Sequence, residues 1–265
     1  MAEAKPQEAR LPPVLTGKKA LVVGVANEHS IAWGCAQAMR RAGAEIAMTY
    51  LNERARPYVE PLAKTLDAEI FMPLDVRDRA QVDAVFTRVT EHWGGLDVLV
   101  HSIAFAPREA LQGRVVDCAR DDFLVAVDVS CWSFLDMARR SEPLMRHGGT
   151  MMTMTYLGAN EVVDSYGIMG PVKAALEAAT RYMATELGPK GIRLHAISPG
   201  PLATRAASGI KDFDELMSKV SARAPARRLV TVEEVGAACV FLASDYAAAM
   251  TGETLYVDGG YHILG

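Results

Sequence analysis

The feature that most constrains this chain is an alternation that runs its whole length. Short apolar runs at 20–23, 46–50, 69–74, 97–101, 150–155, 193–197 and 254–257 are separated by longer stretches with helical periodicity. Each run is bounded by Gly, Pro, Asp or Ser and is too short for a helix. The runs are continuously apolar rather than alternating, as expected of parallel strands covered on both faces. Helical spacing marks 31–42, 80–92, 122–145 and 172–187, and Thr231 followed by Glu233 and Glu234 predicts a capped helix through Leu242. This order predicts an α/β fold: a Rossmann-type, doubly wound parallel sheet of about seven strands with helices on both faces. No repeat or linker interrupts it. The expected organisation is a loose tail over 1–14 and one Rossmann-type domain over 15–265.

Composition narrows the function classes. Half of the 265 residues are hydrophobic, which suits a large buried core and argues against disorder. Lys and Arg number 28 against 32 Asp and Glu, so no basic excess points to nucleic acid or an anionic membrane. The longest stretch without Asp, Glu, Lys or Arg, 147–160, is shorter than the ~18 apolar residues of a spanning helix. Cys35, Cys118, Cys131 and Cys239 show no metal-ligand spacing and read as reduced, core-lining thiols, so no metal is expected. The polar N-terminus has no apolar signal region, and a cytoplasmic location is the expectation.

The first strand ends in Gly24 and leads through Val25–Ser30 to the apparent helix start at Ile31. A strand, a glycine, a short loop and a helix N-terminus can cradle a pyrophosphate. Ser30 is suited to cap that helix or to reach a phosphate oxygen. The segment is not G-x-G-x-x-G, so it reads equally well as an ordinary turn. Asp75 at the third strand end could meet an adenine amino group or simply be a turn residue or cap. His101-Ser-Ile-Ala104 closes the fourth strand with small residues over which a dinucleotide can lie. The second strand tip carries neutral Leu51, with Glu53, Arg54 and Arg56 just beyond. An acidic residue there favours NADH and a basic one NADPH. The expectation is NADH, with NADPH left open.

Thr155-Tyr156 follows the fifth strand, and Tyr166 lies seven residues before Lys173. Seven residues turn an α-helix by ~700°, so Tyr166 and Lys173 could share a face. Pro171 is tolerated mainly in a first helical turn, which instead places Tyr166 on the loop entering the helix. Two core tyrosines and a surface lysine remain the bland alternative at this level.

The motifs taken in order carry more. Gly24-Val-Ala-x3-Ser30-Ile-Ala, His101-Ser-Ile-Ala-Phe-Ala-Pro107, Tyr156-Leu-Gly-Ala, Tyr166-x2-Met-Gly-x2-Lys173-Ala, Ala196-Ile-Ser-x-Gly-Pro-x2-Thr204, Ala206-Ala-Ser-Gly-Ile210 and Val257-Asp-Gly-Gly260 occur in sequence. With these, the chain from about Leu15 to Gly260 resembles the enoyl-acyl-carrier-protein reductases of bacterial type II fatty acid synthesis. That family is a divergent branch of the short-chain dehydrogenase/reductases. Ordinary ketoreductases use Tyr-x3-Lys; here Met169 stands four before Lys173.

The resemblance implies residue roles. Gly24, Ser30 and Ile31 would hold the phosphate end of the dinucleotide, Asp75 and Val76 would bracket adenine, and Ile103 would lie near the cofactor. Lys173 would bond the nicotinamide ribose, and Leu202, Ala203, Thr204, Arg205 and Ala206 would contact the nicotinamide and phosphates. Tyr166 would meet the substrate thioester carbonyl, with Tyr156 as the second phenol, and a Lys173 ammonium would favour anionic character there. Ala106, Met169, Ile210 and Phe213 would line the acyl pocket, and 199–222 would cover it. Leu51, Pro171, His195, Pro199 and the Ala203–Arg205 order depart from the commonest pattern. The implied reaction is NADH-dependent reduction of a trans-2-enoyl thioester. Implied partners are acyl carrier protein, met by basic residues such as Arg205 or Lys211, and three further copies in a homotetramer. The alternatives are a short-chain reductase of another enone or carbonyl and a non-catalytic dinucleotide sensor.

Overall fold

A computed structural model describes residues 13–204 and 213–264, with the side chain of Asp214 aside. Among these residues seven strands form one sheet in the order β3-β2-β1-β4-β5-β6-β7. They are β1 (Lys19–Val23), β2 (Glu45–Tyr50), β3 (Ile70–Pro73), β4 (Val98–His101), β5 (Gly149–Met154), β6 (Ile192–Pro199) and β7 (Thr254–Val257). Every pairing is parallel. All seven predicted strands are present, shifted by at most two residues at an end. The order reverses between β1 and β4, which opens a crevice beyond their carboxyl ends, where such sheets bind ligands.

The helices are α1 (Ile31–Arg41), α2 (Arg56–Thr65), α3 (Arg79–Trp93), α4 (Arg108–Gln112), α5 (Arg120–Val127), α6 (Ser133–Ser141), α7 (Met169–Leu187), α8 (Phe213–Arg223) and α9 (Val232–Ala243). They cover the sheet in two layers, and the core divides accordingly. Leu21, Leu99, Met151 and Leu194 face α3, α6 and α7 on one side. Val22, Val100, Met152 and Ile197 face α1 and α9 on the other. Adjacent residues of one strand therefore serve opposite cores, which is why the runs lack alternation. No helix among the described residues is long and apolar enough to cross a membrane.

Local chemistry sets several boundaries. The Asp78 carboxylate caps α3 by accepting from the Ala80 and Gln81 N–H groups. Thr231 and Glu234 form a reciprocal capping box at α9, the predicted start. α1 and α9 approach so closely that a Cβ on Gly34 would sit 2.3 Å from the Val232 carbonyl oxygen, and one on Gly236 would sit 2.3 Å from that of Gly34. The Cys35 and Cys239 sulfurs meet there, buried, at 3.4 Å.

The expectation of one helix over 122–145 needs correction. α5 and α6 are separated by a π-helical turn, Asp128–Trp132, and a 3-10 turn, Glu142–Leu144, follows. The extra residue in the π turn rotates everything after it relative to α5. Its Ser130 hydroxyl accepts from the Phe105 N–H and donates to the Phe105 carbonyl, both at 2.9 Å, so the turn grips the segment following β4.

Candidate active site

A cavity of about 170 Å³ opens beyond the carboxyl ends of β4, β5 and β6. Its floor is the segment after β5. Lys173, 5% exposed, reaches from the second turn of α7 to donate to the Met154 carbonyl at 2.6 Å. Tyr156 follows two residues later in extended backbone. Tyr166 lies on the loop before α7, as Pro171 predicts, because the helix begins only at Met169. The two phenol rings lie 4.9 Å apart, tilted by 59°, and both line the cavity. Edge-tilted rings at this separation attract each other beyond their burial.

Two glycines and a serine explain how a bulky ring fits here. Gly158 has no side chain because the Tyr166 ring occupies its place: a Cβ would sit 2.4 Å from Cδ1 of that ring. Gly167 adopts φ of +53°, and a Cβ there would meet the Leu111 carbonyl oxygen at 2.3 Å. Ser165, at φ of +61°, gives the loop its second left-handed residue.

Burial dominates the electrostatics. It pushes the Tyr156 phenol up to about 12, with smaller help from Tyr261 and Asp258. It pushes Tyr166 higher still, with Tyr156 and Glu177 adding to the rise. Burial also lowers Lys173 to about 8, against the opposing influence of Cys131 and Glu177. Burial of the phenols thus opposes the anionic character that the Lys173 ammonium was expected to favour. One of the three ammonium N–H groups serves the Met154 carbonyl, desolvation of the phenolates leads, and both phenols are neutral O–H donors near neutral pH.

His101 sits beneath the site, fully buried, with Nδ1 3.1 Å from the Thr153 hydroxyl and Nε2 2.7 Å from that of Ser133. Ser133 gives its own proton to the Val129 carbonyl, so Nε2 carries the imidazole hydrogen and Thr153 donates to Nδ1. Burial, with the nearby Lys173 charge, pushes this imidazole down to about 3. It is a neutral strut between β4, β5 and α6.

The cofactor-side residues fall into two groups. Gly24, at φ of +100°, lies so close to the segment after β4 that a Cβ would sit 2.1 Å from the Ser102 carbonyl oxygen and 3.3 Å from Ile103. This bare backbone crossing lies beside the N-terminus of α1, an arrangement that can cradle a pyrophosphate. Ile31, Leu202 and Thr204 line the cavity, Ile103 packs partly buried against the core on the α3, α6 and α7 side of the sheet, and Ala203 is exposed. Ser30 holds the N-cap position of α1 but does not cap it. Its hydroxyl instead faces the Ala26 and Asn27 N–H groups and donates to the Asn27 carbonyl, so it shapes the loop.

Asp75 and Val76 are not part of this cavity. They follow β3, two strands from β1 in the sheet, and neither lines the cavity. Asp75 takes the Arg77 guanidinium at 2.9 and 3.1 Å, which holds its carboxyl below the usual range. Val76 lines a second cavity of about 250 Å³ with Arg77, Asp128 and Trp132. The turn-residue role foreseen for Asp75 is thus present. On the substrate side, Ala106, Met169 and Phe213 line the first cavity. Arg205, Ala206, Ile210 and Lys211 lie outside the described residues.

Sequence reasoning missed three contributors. Leu111 of α4 and the π turn carry no spacing signal for a pocket. Glu177 does carry one: it lies four residues after Lys173, one helical turn along the same face.

Comparison with known proteins finds relatives over nearly the whole chain. The family model described as enoyl-(acyl carrier protein) reductase matches residues 24–262. An enoyl-acyl-carrier-protein reductase (NADH) of Rhizobium meliloti is 46% identical over 252 residues, covering 95% of this chain and 93% of its own. That of Escherichia coli is 45% identical over 250 residues, covering 94% and 95%. The crystal structure of the Anaplasma phagocytophilum reductase in complex with NAD has a TM-score of 0.92 at 44% identity, covering 97% of this chain and 98% of that one. The Bacillus cereus reductase with NADP+ and an indole naphthyridinone has a TM-score of 0.93 at 44% identity, covering 95% and 99%. With family match and fold in agreement over nearly the whole length, this chain belongs to the enoyl-acyl-carrier-protein reductase family.

Proposed function

We propose that the chain reduces the trans-2 double bond of enoyl thioesters carried on acyl carrier protein, with NADH as the reductant. The observation that carries this is the pair of neutral phenols, Tyr166 buried and Tyr156 partly buried, with ring centroids 4.9 Å apart, facing a cavity walled by Ala106, Leu111, Met169 and Phe213. The bound nicotinamide would supply a hydride to the β-carbon of the substrate. Negative charge then gathers on the thioester oxygen, where a phenol O–H would stabilise it, and protonation at the α-carbon completes the reduction. One such donor in a dry site is typically worth about 2.7–4 kcal/mol. Raised phenol pKa values suit this role, because the group must hold its proton until charge develops. Tyr166 is assigned the thioester oxygen and Tyr156 the adjoining position.

Gly24, Ile31, Ile103, Leu202 and Thr204 would hold the dinucleotide from the cavity side, with Asp75 and Val76 at the adenine end. Lys173 would orient the nicotinamide ribose through its ammonium. Ser30 supports the phosphate end by fixing the Ala26–Asn27 turn. Ala203, Arg205 and Ala206 complete the cofactor contacts, and Ile210 the acyl wall. The β2 tip favours NADH: Arg56 lies over the Tyr50 ring and is paired with Glu53 at 3.5 Å and Glu60 at 3.3 Å. Two carboxylates around that cation oppose a ribose phosphate.

Homotetramer formation in the cytoplasm belongs to the same reading. Phe123, Leu124, Trp132 and Tyr182 are exposed on α5, the π turn and α7, and Tyr246 and Ile263 are exposed near the C-terminus. Such apolar surface suits subunit contacts. Light scattering tests the mass.

The reaction is tested by following NADH and NADPH oxidation with crotonyl and longer enoyl thioesters and with a ketoacyl thioester. Turnover of enoyl substrates with NADH is expected. Cofactor binding without turnover of any enoyl thioester overturns the assignment and favours a dinucleotide sensor.

A further inference from the structure

Glu177 is a buried carboxylate that the reaction as derived does not use; it is 4% exposed on α7. Its two oxygens take different donors. Oε1 accepts from the Thr155 hydroxyl at 2.7 Å, and Oε2 accepts from the Asn160 side-chain amide at 2.9 Å. Thr155 and Asn160 are the two ends of the short segment that carries Tyr156 and Gly158. One turn earlier on α7, Lys173 takes the carbonyl of Met154, the residue before Thr155. The helix thus grips the exit of β5 at successive residues and grips again at the far end of the segment. Asn160 in turn donates to the Tyr256 hydroxyl at 3.2 Å, which ties the segment to β7.

A carboxylate in this position is costly to desolvate. An apolar side chain of similar volume would serve packing better, so a charged group with both oxygens engaged points to a positional task. The segment it spans is also where precision matters. Gly158 seats the Tyr166 ring, and Tyr156 contacts that ring from the other side. If the segment drifts, both phenols move.

We propose that Glu177 is a positioning residue for the reduction: it ties both ends of the 155–160 segment to α7 and so fixes Tyr156 against Tyr166 and Lys173. This inference rests on the assignment of the site as an enoyl thioester reductase.

The carboxylate also has an electrostatic signature that a packing role would lack. It faces Lys173, Tyr166 and Tyr256. The other titratable groups around Lys173 are Cys131 from the π turn and His101 from β4. Cys131 and, after it, Glu177 support the ammonium against burial, whereas the His101 imidazole is neutral. Removing its charge while keeping its shape lowers the proton affinity of Lys173. The alkaline loss of activity then starts at lower pH.

The test compares the full-length protein with Glu177→Gln and Asn160→Ala. Thermal unfolding, NADH affinity at about pH 6 and steady-state rates with an enoyl thioester are measured for each. Both variants are expected to bind NADH within about twofold of the parent. Glu177→Gln is expected to lose at least about tenfold in kcat, and Asn160→Ala roughly threefold. The alkaline limb of kcat/KM for Glu177→Gln is expected to fall by about half a pH unit or more. A folded Glu177→Gln protein with parental kcat and pH profile overturns the proposal, even if its thermal midpoint drops. If Glu177→Gln does not fold, parental kcat in Asn160→Ala overturns it. The parent protein separates the two levels. Failure to reduce any enoyl thioester removes the assigned reaction, whereas parental turnover with unresponsive variants removes only the role of Glu177.

Discussion

Gly158→Ala isolates phenol placement from cofactor binding. A methyl group at this position would lie 2.4 Å from Cδ1 and 2.8 Å from Cε1 of the Tyr166 ring. Ordinary carbon contacts lie near ~3.5–4.0 Å, so about 1 Å of movement is required. Tyr166 is packed against Tyr156, and Gly167 is pressed onto the Leu111 carbonyl, so the ring has little room to retreat. Overpacking of this kind destabilises a fold by about 1–3 kcal/mol. A displacement of about 1 Å in a reacting group can lower a rate by as much as ~100-fold. NADH affinity should stay within about twofold, because the perturbed contact is between residue 158 and the Tyr166 ring. The assay is steady-state reduction of an enoyl thioester beside a fluorescence titration of NADH. A second arm repeats the substitution in Tyr166→Phe, where no hydroxyl remains to be misplaced. There the further loss should shrink to a few-fold. Parental kcat in Gly158→Ala would refute the reasoning, as would equal losses in the presence and absence of the Tyr166 hydroxyl.

Other outcomes follow from the same geometry. Tyr166→Phe should lower kcat by about 10²–10³-fold with little change in NADH dissociation constant, and comparable losses in both would make the phenol mainly structural. Gly24→Ala should abolish NADH binding or folding, because its Cβ would meet the Ser102 carbonyl oxygen at 2.1 Å; a titration with parental affinity would contradict the cradle. Lys173→Ala should weaken NADH binding, and in the parent that affinity should fall as pH rises through about 8 and the ammonium is lost; a flat pH dependence would remove the ribose role. His101 and His195 are buried and held at about 3 and about 4. Both lie below the usual ~6.5, so the unfolded chain binds more protons below that pH, and stability should drop as pH falls from about 6.5 toward 4. Each contributes a slope of up to about 1.4 kcal/mol per pH unit, and urea midpoints at several pH values should show a shallower dependence in His195→Asn.

The strands were legible because burial on both faces leaves a signature that needs no partner information: a short apolar run with breakers at its ends. α3 and α9 were legible for a similar local reason: Val82, Val85, Phe86 and Val89 fall at helical spacing in the first, and the capping residue Thr231 precedes the second. α2 escaped notice because Pro57 and Pro61 read as breakers. Yet Pro57 occupies the first turn, where no N–H is missed, and the helix continues past Pro61. The π turn escaped because Asp128–Trp132 contains no Gly or Pro to mark a change of phase. At the site, Pro171 gave the place of Tyr166 correctly. What the order of residues did not carry was desolvation: the raised phenols and lowered lysine depend on which atoms surround them in space. The separation of Asp75 and Val76 from the main cavity is likewise a matter of strand order, which follows from tertiary packing rather than from the residues at the strand tip.

The central claim is that two neutral phenols serve hydride addition to a carbon–carbon double bond conjugated to a thioester. It is tested most directly by labelling. With NADH deuterated at the transferring position and a crotonyl thioester, the deuterium should appear on the β-carbon of a saturated product, and in deuterium oxide a second label should appear on the α-carbon. Tyr166→Phe should slow this reaction without moving either label. Label on a carbonyl-derived carbon, or bound NADH with no saturated product, would contradict the account.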